Sequence, residues 1–152
     1  MRLTRAFLLF LILFPTTSRS SEDWIPQRIV GMVYPRVAVH SRTVGTVRVK
    51  CSISKAESVS SVEIVFVSGP KPAARDLLGK AAVNNAKKWR FKKIDAAGSA
   101  SDSVVLTYTF QLKGQSATNP RSEFVFEYPS SVLITSEELS LSPKAALSKR
   151  LN

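Results

Sequence analysis

The 152-residue chain is short of the residues that most site chemistry needs: it has one cysteine, one histidine, and half as many carboxylates as cations. A single cysteine closes no internal disulfide, and Cys51 with His40 falls short of the ligand set of a tetrahedral zinc site. The scarcity of imidazole also counts against a nucleophile and base pair, because His40 would be the sole base and no G-x-S-x-G turn accompanies it. Asp76, Asp95 and Asp102 have no spacing that pairs two carboxylates for acid and base work. These absences predict a protein that is not an enzyme and has no catalytic residues, metal site or cofactor.

Long apolar runs are missing too, with one exception. Ala6 to Phe14 is uninterrupted, follows Arg2 and Arg5, and ends at Pro15. A membrane-spanning helix needs about 20 apolar residues, so the run predicts the core of a cleaved signal peptide over residues 1–20, with small residues Ser18 and Ser20 before the cut. Retention of the run as a short inner-membrane anchor is the alternative. Loss of residues 1–20 leaves 19 cations against 11 carboxylates, a charge of +8 in place of +11. Such a charge ordinarily points to nucleic acid, but export removes that partner. It leaves an anionic envelope surface or an acidic protein. A hydrophobic content of 44% over this length suits one globular domain.

Residues 21–33 read as an irregular lead-in, and Tyr34-Pro35 opens a short helix that Gly45 closes. Val47, Val49, Cys51 and Ile53 then recur at period two, which predicts a half-buried strand with a buried, inert thiol at Cys51. Val59 to Val67 is a second strand, forming a hairpin with the first and stopped by Gly69, Pro70 and Pro72. Over residues 73–90 the spacing turns helical, with Leu78, Ala81, Ala82, Asn85 and Trp89 on one stripe. Val104 to Leu112 is the clearest strand. Val105, Thr107, Thr109 and Gln111 lie on its polar face. The order α-β-β-α-β predicts an α+β fold: a three-stranded antiparallel sheet with a helix on one face and one strand edge unpaired. After a linker at 114–120, a short strand is expected at 123–128 and a helix at 143–151.

The run Lys87-Lys88-Trp89-Arg90-Phe91-Lys92-Lys93 looks like a nucleic-acid patch. Its aromatic residues are better read as core anchors behind a solvated rim of cations, with the positive charge favoured at a helix C-terminus. His40 reads as a surface helix residue.

Tyr34 to Leu112 resembles the C-terminal domain of TonB energy-transducing proteins. The likeness rests on Tyr34-Pro35, on Gly45 followed by T-V-R-V-K, and on L-x-x-A-A-x-x-A-x-x-W-R-F, which runs from Leu78 and Ala82 to Trp89 and Phe91; the closing strand then carries Phe110 and Leu112. Three departures stand out: Ala56-Glu57 replaces the usual D-G turn, Lys93 replaces a Pro, and the long Pro-rich spacer is absent. Fourteen residues from the expected cut to Tyr34 span at most roughly 50 Å, which is too short to link an inner-membrane motor to an outer-membrane receptor. The resemblance implies a domain at 34–113, followed by an extension at 114–152, that binds a protein or peptide by strand addition. Val105, Thr107, Thr109 and Gln111 mark the receiving edge. Two arrangements would close that edge: residues 123–128 folding back, or a second copy in a homodimer. The rival readings are a membrane-anchored transducer of outer-membrane transport and a self-associating envelope component.

Overall fold

The computed structural model describes residues 24–69, 72–94 and 102–140. The expected signal segment and the expected terminal helix at 143–151 both lie outside them. The elements in chain order are β1 (Trp24–Arg28), α1 (Arg36–His40), β2 (Gly45–Ile53), β3 (Val59–Ser68), α2 (Pro72–Ala86), β4 (Arg90–Lys93), β5 (Ser103–Ala117), β6 (Ser122–Glu127) and β7 (Ser131–Leu139).

Period-two burial builds the centre of the sheet. Val47, Val49 and Cys51 of β2 are opposite Tyr108, Leu106 and Val104 of β5, and all six are buried. The hairpin of β2 and β3 forms as expected, with irregular register on both sides of its middle. Leu78, Ala82, Asn85 and Ala86 of α2 are buried, and the small alanines let the helix backbone come close to the sheet. Trp89 and Phe91 continue this core as anchors, 1% and 0% exposed, while Lys87, Lys88, Lys92 and Lys93 stay in solvent.

The α+β class holds, but the three-stranded antiparallel sheet does not. The main sheet has five strands in the order β3-β2-β5-β7-β6, and β7 runs parallel to β5. The reason lies beyond Leu112. Strand β5 continues to Ala117, β6 crosses over, and β7 returns between them so that Val132 and Ile134 pack beside Tyr108 and Phe110. Burying those two side chains and pairing the backbone of β5 outweighs leaving a polar linker at 114–120. The lead-in contains β1, which pairs with β4 in a separate two-stranded ribbon. Helix α2 stops at Ala86, four residues before the expected end.

Candidate functional site

The expected receiving edge is not open. Val105, Thr107, Thr109 and Gln111 lie on the helix-free face of the sheet, but from Thr107 onward the far side of β5 is occupied by β7. The amide of Thr107 donates to the Ser130 carbonyl at 2.9 Å, and pairing runs from Thr107 opposite Ser131 to Ala117 opposite Leu139. The closing strand is β7 rather than residues 123–128, which pair with β7 from its other side.

Closure of β5 moves the sheet's edges to β3 and β6. Strand β3 is ten residues long, and its outer side meets other described strands only at its start, where Ser58 bridges Arg90. Ile64, Val65 and Phe66 are 43%, 48% and 45% exposed. Val65 has no partner in the register between Ile64 opposite Val49 and Phe66 opposite Arg48, so it forms a bulge that disrupts the ladder there. Arg48 covers one side of the Phe66 ring at 5.3 Å. Ile64 reaches α2 at Gly79, where an added Cβ would lie 2.9 Å from its Cδ1. Strand β6 is six residues long and carries Glu123, hydrogen-bonded to Lys113, and Glu127. Its inward Phe124 and Phe126 pack on Gly31 and, edge to face, on Trp89.

The motif residues hold these edges in place. Tyr34 is 1% exposed, donates its hydroxyl to the Thr43 carbonyl and meets Phe110 edge-on at 5.5 Å. Burial pushes its pKa up to about 12. Pro35 stands at the N-terminal boundary of α1, its carbonyl accepting from the Val39 amide at 3.0 Å, and His40 at the other end is exposed. Gly45 admits no side chain, since a Cβ there would lie 2.1 Å from the Ser68 carbonyl oxygen. Cys51 is buried and free, and burial pushes its thiol up to about 12, which keeps it protonated and inert.

Asn85, which its spacing marks only as a member of the helix stripe, is a hub. Its side-chain amide donates to the Val30 carbonyl at 2.8 Å and the Gly31 carbonyl at 3.3 Å. Its carbonyl accepts from Trp89 Nε1 at 2.9 Å and the Tyr108 hydroxyl at 3.0 Å. Burial also raises the pKa of Tyr108, so that hydroxyl stays a donor. One side chain thus ties α2, β5 and residues 30–31 together with its polar atoms satisfied.

What this arrangement offers chemically is backbone pairing and apolar contact. Among the described residues no three His, Cys, Asp or Glu side chains gather as a metal site would require, and no described helix is long and apolar enough to cross a membrane. The family model described as Gram-negative bacterial TonB protein C-terminal matches residues 30–112, more than half of the chain. No curated protein and no solved structure matches it.

Proposed function

Because the chain belongs to the TonB C-terminal family, a family of non-enzymatic protein-interacting domains of the Gram-negative envelope, we propose that it binds a protein or peptide partner by strand addition and that β3 receives the added strand. The observation that carries this reading is the outer side of a ten-residue strand that meets other described strands only at its start, with Ile64, Val65 and Phe66 exposed along it. An edge of that length offers a row of backbone donors and acceptors, and its apolar side chains supply contact area that selects among partners. Strand β5, the edge that the family resemblance implied, is paired with β7 from Thr107 onward. In this reading residues 1–20 are removed on export, and residues 114–140 serve to complete the sheet.

Site-specific photo-crosslinking in cells producing the full chain tests it. A photoreactive side chain at Ser61 or Val65 of β3 is expected to give discrete protein adducts, whereas Glu123 and Val125 of β6 give none. Adducts at twice the chain mass would identify the added strand as a second copy, which keeps β3 as the site. Adducts from β6 alone, or none from β3, would overturn the assignment.

A further inference from the structure

The ribbon of β1 and β4 carries a charge arrangement that the fold does not explain. Its register places Ile25 opposite Lys92 and Arg28 opposite Arg90. Phe91, between Arg90 and Lys92 of β4, is fully buried, so these two cations point outward together with Ile25 and Arg28. Two arginines directly across an antiparallel ladder repel each other and destabilise the pairing. Lys87 and Lys88 adjoin them in the turn before β4, and all five cations are exposed. Among the described residues none of the five forms an ion pair, while Arg42 and Lys113 elsewhere do. Glu57 and Asp102 lie near the other face of the ribbon, lining a cavity with Trp24 and Lys93. Interleaved with the cations are apolar side chains in solvent, Ile25 at 45% and Ile29 at 40% exposed.

We infer that this face of the ribbon docks on an anionic phospholipid surface. Phosphate headgroups neutralise Arg28, Arg90, Lys92, Lys87 and Lys88, and Ile25 and Ile29 enter the boundary between headgroups and acyl chains. An acidic protein would satisfy the cations equally well. The lipid surface is favoured because the isoleucines stand out among the charges, where a bilayer accepts them and a hydrated acidic segment does not. The inference is independent of strand addition at β3, which uses another part of the molecule.

Sedimentation of the full chain with vesicles of phosphatidylglycerol and phosphatidylcholine, against phosphatidylcholine alone, measures the preference. The apolar run near the N-terminus contributes to both and cancels in the ratio. Each cation at such a surface is worth about fivefold in partitioning, so Arg28→Glu with Lys92→Glu should cut the preference by about twentyfold or more. The same change sets a carboxylate in place of a guanidinium opposite Arg90, so the melting temperature should hold or rise, which separates loss of docking from loss of fold. Lys50→Glu, on the helix-free face of the main sheet, is the control for a single charge reversal and should change the ratio far less. Ile25→Ser should weaken vesicle binding severalfold even in high salt, with no effect on binding to polyglutamate. An equal affinity for both vesicles, an unchanged ratio in the double variant, or an Ile25→Ser chain that binds vesicles as the unaltered chain does would each overturn the assignment to a lipid surface.

Discussion

The two edges of the main sheet are built differently. Strand β6 is six residues long, bears Glu123 and Glu127, and is followed by a cis Tyr128–Pro129 bond. On its inner side residues 30–34 lie against it, with the Tyr34 amide donating to Ser122 Oγ at 3.3 Å. Strand β3 has ten residues, a bulge, and three exposed apolar side chains in a row. Short length, charge and a neighbouring segment are the devices by which a sheet guards an edge, and β3 has little of them beyond Glu63 and the bulge at Val65. The chain also closes β5 at the expense of a crossover. Of the two edges, β3 is the one left with the fewer such guards among the described residues, which is what supports the proposal that it receives a partner.

The largest effect on this comparison is expected at Gly45. A methyl there would sit 2.1 Å from the Ser68 carbonyl oxygen, backbone that cannot swing aside, at the point where the end of β3 meets the start of β2. Gly45→Ala should cost about 3 kcal/mol, at the upper end of overpacking penalties, in urea denaturation. Hydrogen exchange should locate the loss at Thr46, Ser68 and their neighbours. Uniform destabilisation of β6 and β7 with β3 unaffected would contradict the close approach.

Asn85→Ala attacks the other side. It leaves Trp89 Nε1 and the Tyr108 hydroxyl without their buried acceptor and frees the carbonyls of Val30 and Gly31. A buried donor left unsatisfied costs about 1–3 kcal/mol, so a loss of about 2 kcal/mol is expected. Amide exchange should quicken along residues 30–34 and β6 while β3 keeps its wild-type rates. A change that spread equally to β3 would mean that the two edges are not held separately.

The parts of this design that the sequence displays are those with an unbroken period. In β2 and β5 every second residue is apolar on one face, and the alternation survives because both strands sit mid-sheet with one face on the core. Strand β7 alternates as well, but Ser136 occupies a buried inner position and Leu133 an outer one, which blurs the pattern. In β1, Pro26 demotes a strand that pairs on one side only. The end of α2 was hidden for a different reason. Trp89 falls on the helical stripe, yet the chain has left the helix by bonds from Lys88 to Asn85 and Trp89 to Ala86, and it reaches the same buried side by another path. Closure of the β5 edge by β7 is not legible in the sequence, because the position of β7 beside β5 is a long-range outcome that no local spacing encodes.

A smaller effect, of opposite sign, is expected at the hairpin tip. Glu57 has a φ of 61°, the left-handed region where a side chain costs about 1–2 kcal/mol. It stands where the family resemblance expects glycine. Glu57→Gly should raise stability by about 0.5–1 kcal/mol once glycine's extra freedom in the unfolded chain is subtracted. Its carbonyl would still accept from the Phe91 amide at 2.9 Å, so the tip stays joined to β4. A lower denaturation midpoint would show that the glutamate side chain has a role outweighing the strain.

The smallest expected change in stability is at Val65, and it bears most directly on the comparison. The residue is nearly half exposed and bulged out of register, so Val65→Lys removes little buried surface and interrupts no ladder pair. Surface substitutions of that kind stay within about 0.5 kcal/mol, or about 2 °C in melting temperature for a chain of this size. A lysine on an edge strand nevertheless opposes an incoming strand, because docking would strip water from the charge. Adducts formed from a photoreactive side chain at Ser61 should therefore disappear in Val65→Lys at unchanged melting temperature. Val125→Lys on β6, where the side chain is equally exposed, should leave them intact. Loss in both variants would mean that the sheet responds to added charge in general, and loss in Val125→Lys alone would transfer the binding edge to β6.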